Sequence, residues 1–310
     1  MKGYALGSIC LDFSITLKAQ QKLEYAEESK LYFMKALEII EKNPFFNKYH
    51  TFYLCILYTN IAWILREKEA DSLEALEYYT KAATLNNRHV RSLFSRGNLH
   101  GKRAEFDNAI ADFSKCIEIK ESHTPKWTDL SYKVKHYCSI SSQSDDNLLF
   151  NIFYLFKSNE MTELFMRSYI TDFKLPSLNA FQIGEHEKRL SEIYEERGLQ
   201  YLESDRVMEA LIDFTCARMI CPVRPYPYIF VFFVSVNVMG ERKSFQILRN
   251  YMDLIANEKH ITNNYFNLNY CDVASIFKHA SNALSDGGHT TEANKLKKRY
   301  QQLSNHTRVA

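Results

Sequence analysis

The feature that most constrains this chain is an echo in its own sequence. The stretch 74–87 reads "EALEYYTKAATLNN", and 108–120 reads "NAIADFSKCIEIK". Ala75 and Ala109, Tyr79 and Phe113, Ala82 and Cys116, and Leu85 and Ile119 are each 34 positions apart. A fixed period of that length marks stacked helix-turn-helix units, each burying its apolar face against the next. Leu93, Gly97 and His100 fall on the first helix of the clearest copy, Phe106 at the turn, and Ala109, Phe113 and Cys116 on the second helix. Their spacings of three and four place each set on one helical face. Two helices approach to about 8 Å only where the crossing residues are small, which gives Gly97 and Ala109 a steric role and leaves Phe113 to fill the adjoining space.

The pattern resembles the tetratricopeptide repeat family. "LFSRGNLHGKRAEFDNAIADFSKCIEI" (93–119) carries it most fully. "YTNIAWILREKEADSLEALEYYTKAATL" follows with Tyr58, Ile61, Ala62, Leu65, Ala75, Tyr79 and Ala82, given one inserted residue near 69–71. "YEERGLQYLESDRVMEALIDFTCARMICP" follows with Tyr194, Gly198, Tyr201, Ala210, Phe214, Ala217 and Pro222. The resemblance implies an all-α, right-handed superhelical solenoid of about seven or eight helix-turn-helix repeats spanning 1–310. The strongest copies are 55–89, 90–123 and 190–223, and the degenerate ones 10–50, 124–189, 224–258 and 262–305. Two lobes joined near 141–146, in the polar stretch "SISSQSDD", form the competing arrangement. Ala109 to Ala210 is 101 residues, close to three periods, which leaves room for two degenerate copies between them.

Composition removes several other classes. A net charge of +2 with 25% charged residues gives no global attraction to nucleic acid or membrane. Seven cysteines without CxxC pairing fit a reducing compartment, so disulfides are not expected and a cytoplasmic location is. The N-terminus lacks the pattern of a signal peptide. The most apolar segment, "YPYIFVFFVSVNVM" (226–239), holds Pro227 and Asn237 and is shorter than the ~20 apolar residues a bilayer needs; it reads as a buried helix, with an exposed assembly contact as the rival. No phosphate loop, HExxH, nucleophile elbow or paired His/Cys spacing occurs. No enzyme activity, cofactor or metal is therefore expected, and His186 and His279 read as surface or boundary residues. The basic run Lys295, Lys297, Lys298 and Arg299 reads as the polar outer face of a terminal helix.

A helical-repeat scaffold offers a concave face on which a peptide or partner helix can lie. The groove positions implied by the resemblance are Ile56, Thr59, Asn60, Trp63, Arg66 and Glu67 in one copy, and Arg91, Phe94, Ser95, Asn98, Gly101 and Lys102 in the next. Asn60, Trp63, Arg91, Phe94, Asn98 and Lys102 are the candidate partner-binding residues. Some family members clamp a terminal carboxylate with two asparagines and three basic residues; Asn60 and Arg91 match two of those positions, and Ser95 departs from a third. Arg88, Arg91, Arg96, Lys102 and Arg103 precede any acid before Glu105, whereas Glu192, Glu195 and Glu196 make the third strong copy acidic. A bipolar groove suits a protein partner better than nucleic acid, whose uniform backbone the acidic end repels. The expected function is a non-enzymatic adaptor or co-chaperone-like module. The rivals are RNA binding, a peptide-responsive regulator and a structural subunit of a larger complex.

Overall fold

A computed structural model describes residues 19–42, 50–124, 127–140 and 184–221, together with isolated positions between 224 and 301. All regular structure among the described residues is helical. The helices are α1 (Ala19–Lys42), α2 (His50–Lys68), α3 (Leu73–Leu85), α4 (Val90–Lys102), α5 (Phe106–Ser122), α6 (Leu130–Ile140), α7 (Glu185–Glu203) and α8 (Val207–Ile220). The chain divides into two compact units, one comprising Met1–Asp129 with Glu192–Arg206, the other Leu130–Ser191 with Val207–Ala310. The copies expected at 124–189, 224–258 and 262–305 lie largely outside the described residues, as do the 141–146 loop, His279 and most of 10–25.

The helical-repeat fold inferred from the echo is present in the first unit. Phe33, Leu57, Ile61, Ala62, Tyr79 and Leu99 join one buried core drawn from α1 through α4. The turns expose the repeat in backbone detail. Between α4 and α5 the Glu105 N–H donates to His100 O at 2.9 Å and the Ala104 N–H to Gly101 O at 3.0 Å. After α7 the Arg206 N–H donates to Tyr201 O at 2.8 Å and the Asp205 N–H to Leu202 O at 3.0 Å. These paired bonds, six-to-one and five-to-two, form a Schellman cap. Ala104 and Asp205 hold its left-handed position at φ 57° and 58°. The α2–α3 turn is one residue longer, as the insertion near 69–71 requires, and uses Ser72 instead: its hydroxyl accepts the Ala75 N–H and caps α3, a contact typically worth about 1 kcal/mol. A Cβ in the left-handed region costs about 1–2 kcal/mol. Ala104→Gly is therefore expected to stabilise the first unit by about 1 kcal/mol, read as a raised urea midpoint.

A second recurring contact ties the two helices of each hairpin. The Cys55 thiol donates to Ala82 O, the Cys116 thiol to Val90 O, and the Ser191 hydroxyl to Ala217 O. Each joins the start of a first helix to the same level of its second helix. Cys55, Cys116, Cys216 and Cys221 are buried free thiols. Burial pushes the Cys116 thiol up to about 12, with Asp112 adding to the effect; it is a packing group, far from its reactive thiolate form.

In the first unit, residues 192–206 stack directly on the 90–123 hairpin. The Tyr194 hydroxyl donates to Glu121 Oε1 at 2.5 Å, and the Gln200 carboxamide lies against Gly101, where an added Cβ would sit 2.5 Å from its Oε1.

In the second unit α8 is buried on every side from Ala210 to Ile220. Phe214 meets Phe230 at 4.9 Å between ring centroids, and Arg218 Nε donates to the Tyr228 hydroxyl at 3.1 Å. The apolar segment at 226–239 is helical at its described positions, with Tyr228 and Val231 buried and Phe230 half-buried; Phe232 and Phe233 lie outside them. Thr290, Asn294, Lys297, Lys298 and Gln301 are helical and exposed along one face, the polar surface expected of the basic C-terminal run. Among the described residues no helix is long and apolar enough to cross a membrane.

Candidate functional site

The candidate face is carried by α2 and α4, which pack side by side and share the core through Ile61, Leu65 and Leu99. On α4, Arg91, Phe94, Asn98 and Lys102 recur at helical spacing. Arg91 and Lys102 are exposed, and Phe94 and Asn98 are half-buried. Phe94 is held edge-on to Phe113 at 5.6 Å, interplanar angle 63°, so its position is fixed by the hairpin's own packing. On α2, Trp63 is half-buried. Asn60 is 4% exposed and its Oδ1 has no hydrogen-bond partner among the described residues.

Behind this face stands Tyr79, fully buried at the back of α3. Burial raises its phenol pKa, while Arg66, Ser95 and Arg91 pull it the other way. Tyr79 joins the core that α2 and α4 share through Ile61, Leu65 and Leu99. Tyr58, one turn before Ile61, donates to Glu41 at 2.8 Å, and burial together with that carboxylate pushes its phenol to about 12.

The five-cation run separates into two groups. Arg96 forms a two-pronged pair with Asp112 at 2.6 and 2.7 Å. Arg103 donates to Glu105 at 2.9 Å and to Asp71 O at 3.0 Å, and Arg88 donates to the Ser122 hydroxyl at 3.4 Å. Those charges serve the scaffold. The side chains of Arg91 and Lys102 make no ion pair or hydrogen bond with any described residue; the Arg91 charge acts instead on His89, whose pKa is lowered by burial first and by that charge second. The acidic end of the expected bipolar groove is altered too, because Glu195 is only 5% exposed and its carboxylate belongs to the interior.

Asp112 did not emerge from single-helix patterning, because its partner lies on the other helix of the hairpin. A signal existed: arginine and aspartate recur 16 positions apart at Arg96 and Asp112 and again at Arg197 and Asp213. Among the described residues no group of His, Cys, Asp and Glu could hold a metal ion.

Antiparallel helical hairpins with repeated caps define a helical-repeat fold among the described residues. The family model for the tetratricopeptide repeat matches residues 90–123, the hairpin α4–α5. Residues 90–123 thus form a tetratricopeptide repeat. Sixty residues of the chain are 40% identical to a UDP-N-acetylglucosamine–peptide N-acetylglucosaminyltransferase of Giardia intestinalis, a match covering 19% of this chain and 4% of that enzyme. Among solved structures it is similar to MamA 41-end from Desulfovibrio magneticus RS-1, with a TM-score of 0.24, 14% identity, and coverage of 66% of this chain and 97% of that one. It is also similar to YrrB, a TPR protein with an unusual peptide-binding site, with a TM-score of 0.26, 15% identity, and coverage of 74% of this chain and 94% of that one.

Proposed function

We propose that the chain is a non-enzymatic cytoplasmic adaptor that binds an acidic peptide segment of a partner protein along the α2–α4 face. The observation that carries the reading is the sorting of the basic run: three arginines are bonded within the scaffold, while Arg91 and Lys102 stand exposed at opposite ends of α4. They are 11 residues apart, about 16 Å at the rise of an α-helix, a span that four or five extended residues cover. Phe94 and Asn98 lie between them, offering an apolar edge and an amide. Trp63 and Asn60 on the neighbouring helix supply a second aromatic and a recessed amide. Two cations at this spacing steer a segment with acids at both ends and fix its direction.

The test is fluorescence anisotropy with a labelled peptide carrying glutamate pairs four residues apart, added to the full chain. Arg91→Glu with Lys102→Glu is expected to weaken binding at least tenfold, and added salt to weaken the wild type. Equal affinity in a double variant that keeps its helical circular dichroism would move the site elsewhere.

A further inference from the structure

Residues 192–206 belong to the packed interior of the first unit: Ile193 and Tyr194 are fully buried, and Arg197 and Gly198 are buried. Tyr194 donates to Glu121 at 2.5 Å, Arg197 to Ser114 at 2.9 Å and Arg206 to Asp107 at 3.2 Å. Later residues of α7 and its cap thus meet earlier residues of α5, so α7 runs antiparallel to α5 and parallel to α4. The two parallel helices touch where Gln200 rests on Gly101. Glu192, Glu196, Gln200 and Glu203 recur at intervals of four, four and three, which puts them on one face of α7. Gln200 therefore joins that face to the α4 face of Arg91, Phe94, Asn98 and Lys102. Its Oε1 has no hydrogen-bond partner among the described residues, and the side chain is half-buried, so a turn of the carboxamide offers an acceptor to a ligand's backbone N–H.

The two faces carry opposite charge in matching register. Arg91 and Lys102 are 11 residues apart, as are Glu192 and Glu203; Lys102 lies one residue beyond Gly101, and Glu203 three beyond Gln200. The rows run level to within two residues of helical rise, about 3 Å. Glu192 and Glu196 are half-buried and Glu203 is exposed. The Arg91 and Lys102 side chains pair with no described residue, so the cationic row is not neutralised by the acidic one. Packed helices lie about 8–10 Å apart, close to the ~8 Å over which salt screens charge, so each row acts mainly on the edge of a ligand that faces it. We propose that the occupant of the α4 face lies in the seam between α4 and residues 192–203 and is an extended segment of alternating sign, with acidic residues facing α4 and basic residues facing α7. Successive side chains of an extended chain point to opposite sides, so two level rows of opposite charge select alternation. A uniformly acidic segment is attracted by one row and repelled by the other. This rests on the reading of α4 as the binding face and adds the composition of what it takes.

The experiment measures fluorescence anisotropy of three short labelled peptides with the full chain: alternating Glu–Lys, the same residues in one Glu block and one Lys block, and alternating Glu–Gln. The alternating Glu–Lys peptide should bind at least fivefold more tightly than either of the others. Glu203→Lys, a change at an exposed position, should remove its lead over Glu–Gln, weakening the first and strengthening the second. Equal affinity for the alternating and blocked peptides would overturn the proposal, as would a lead over Glu–Gln that survives Glu203→Lys. Binding of Glu–Gln through Arg91 and Lys102 with no gain from the lysines would sink this inference and leave the acidic-peptide site standing, whereas binding of no peptide would sink both.

Discussion

Phe113→Ala should cost the first unit about 3–5 kcal/mol, the range for removing a buried phenylalanine. The ring is completely buried. It touches the Gly97 position on one side and the edge of Phe94 on another, so its loss leaves a hole between the two helices of the hairpin that neither can fill. Domain stability is typically about 5–15 kcal/mol, so this is a large share of it. The chain's two tryptophans, Trp63 and Trp127, both lie in the first unit; a urea titration followed by tryptophan fluorescence therefore reports this unit directly. A midpoint shift worth less than about 1 kcal/mol would mean that Phe113 is not the keystone of the crossing. Phe94 loses its edge-on neighbour in the same variant, so binding of the acidic peptide should weaken even where the protein stays folded.

Gly97→Leu should destabilise by about 3 kcal/mol, at the upper end of what overpacking costs. An added Cβ alone would sit 3.0 Å from Phe113 Cε1 and 3.3 Å from Asp112 Cβ. The Asp112 Cβ is set by the α5 backbone and its carboxylate by Arg96, so the helices themselves must separate. Gly97→Ala should cost less, because the helix gains up to ~1 kcal/mol of propensity when glycine is replaced. Combined with Phe113→Ala, the leucine finds the vacated space, so the double variant should be more stable than the sum of the two losses predicts. Strict additivity in the same fluorescence titration would show that the two positions do not share the crossing.

The Gly97–Phe113 contact was legible in the sequence because it lies within one repeat, where fixed spacing converts directly into facing positions. The inserted residue near 69–71 was legible for the same reason: it breaks the period, and the turn there is longer and capped by Ser72. The family resemblance also placed Asn60, Trp63, Arg91, Phe94, Asn98 and Lys102 on two neighbouring helices. It could not tell how deep each would sit. Asn60 is nearly covered, whereas Ser95, the corresponding position of the next helix, is half-buried, and depth depends on the helices to either side. Nor could it sort the cations, because Arg96 and Arg103 find their acids across a turn or a hairpin. The stacking of 192–206 on 90–123 was the least legible feature. Counting periods fills the gap between two strong copies with further copies, and only three-dimensional contact shows which helix lies against which.

That stacking also sets an order of events during synthesis. When Ser122 has been made, the polar face of α5 is complete, but the residues that cover it end at Arg206, 84 positions later. At a translation rate of about 5–20 residues per second, the face waits roughly 4–17 s for its cover. Throughout that interval Glu121 lacks the hydroxyl that Tyr194 later supplies.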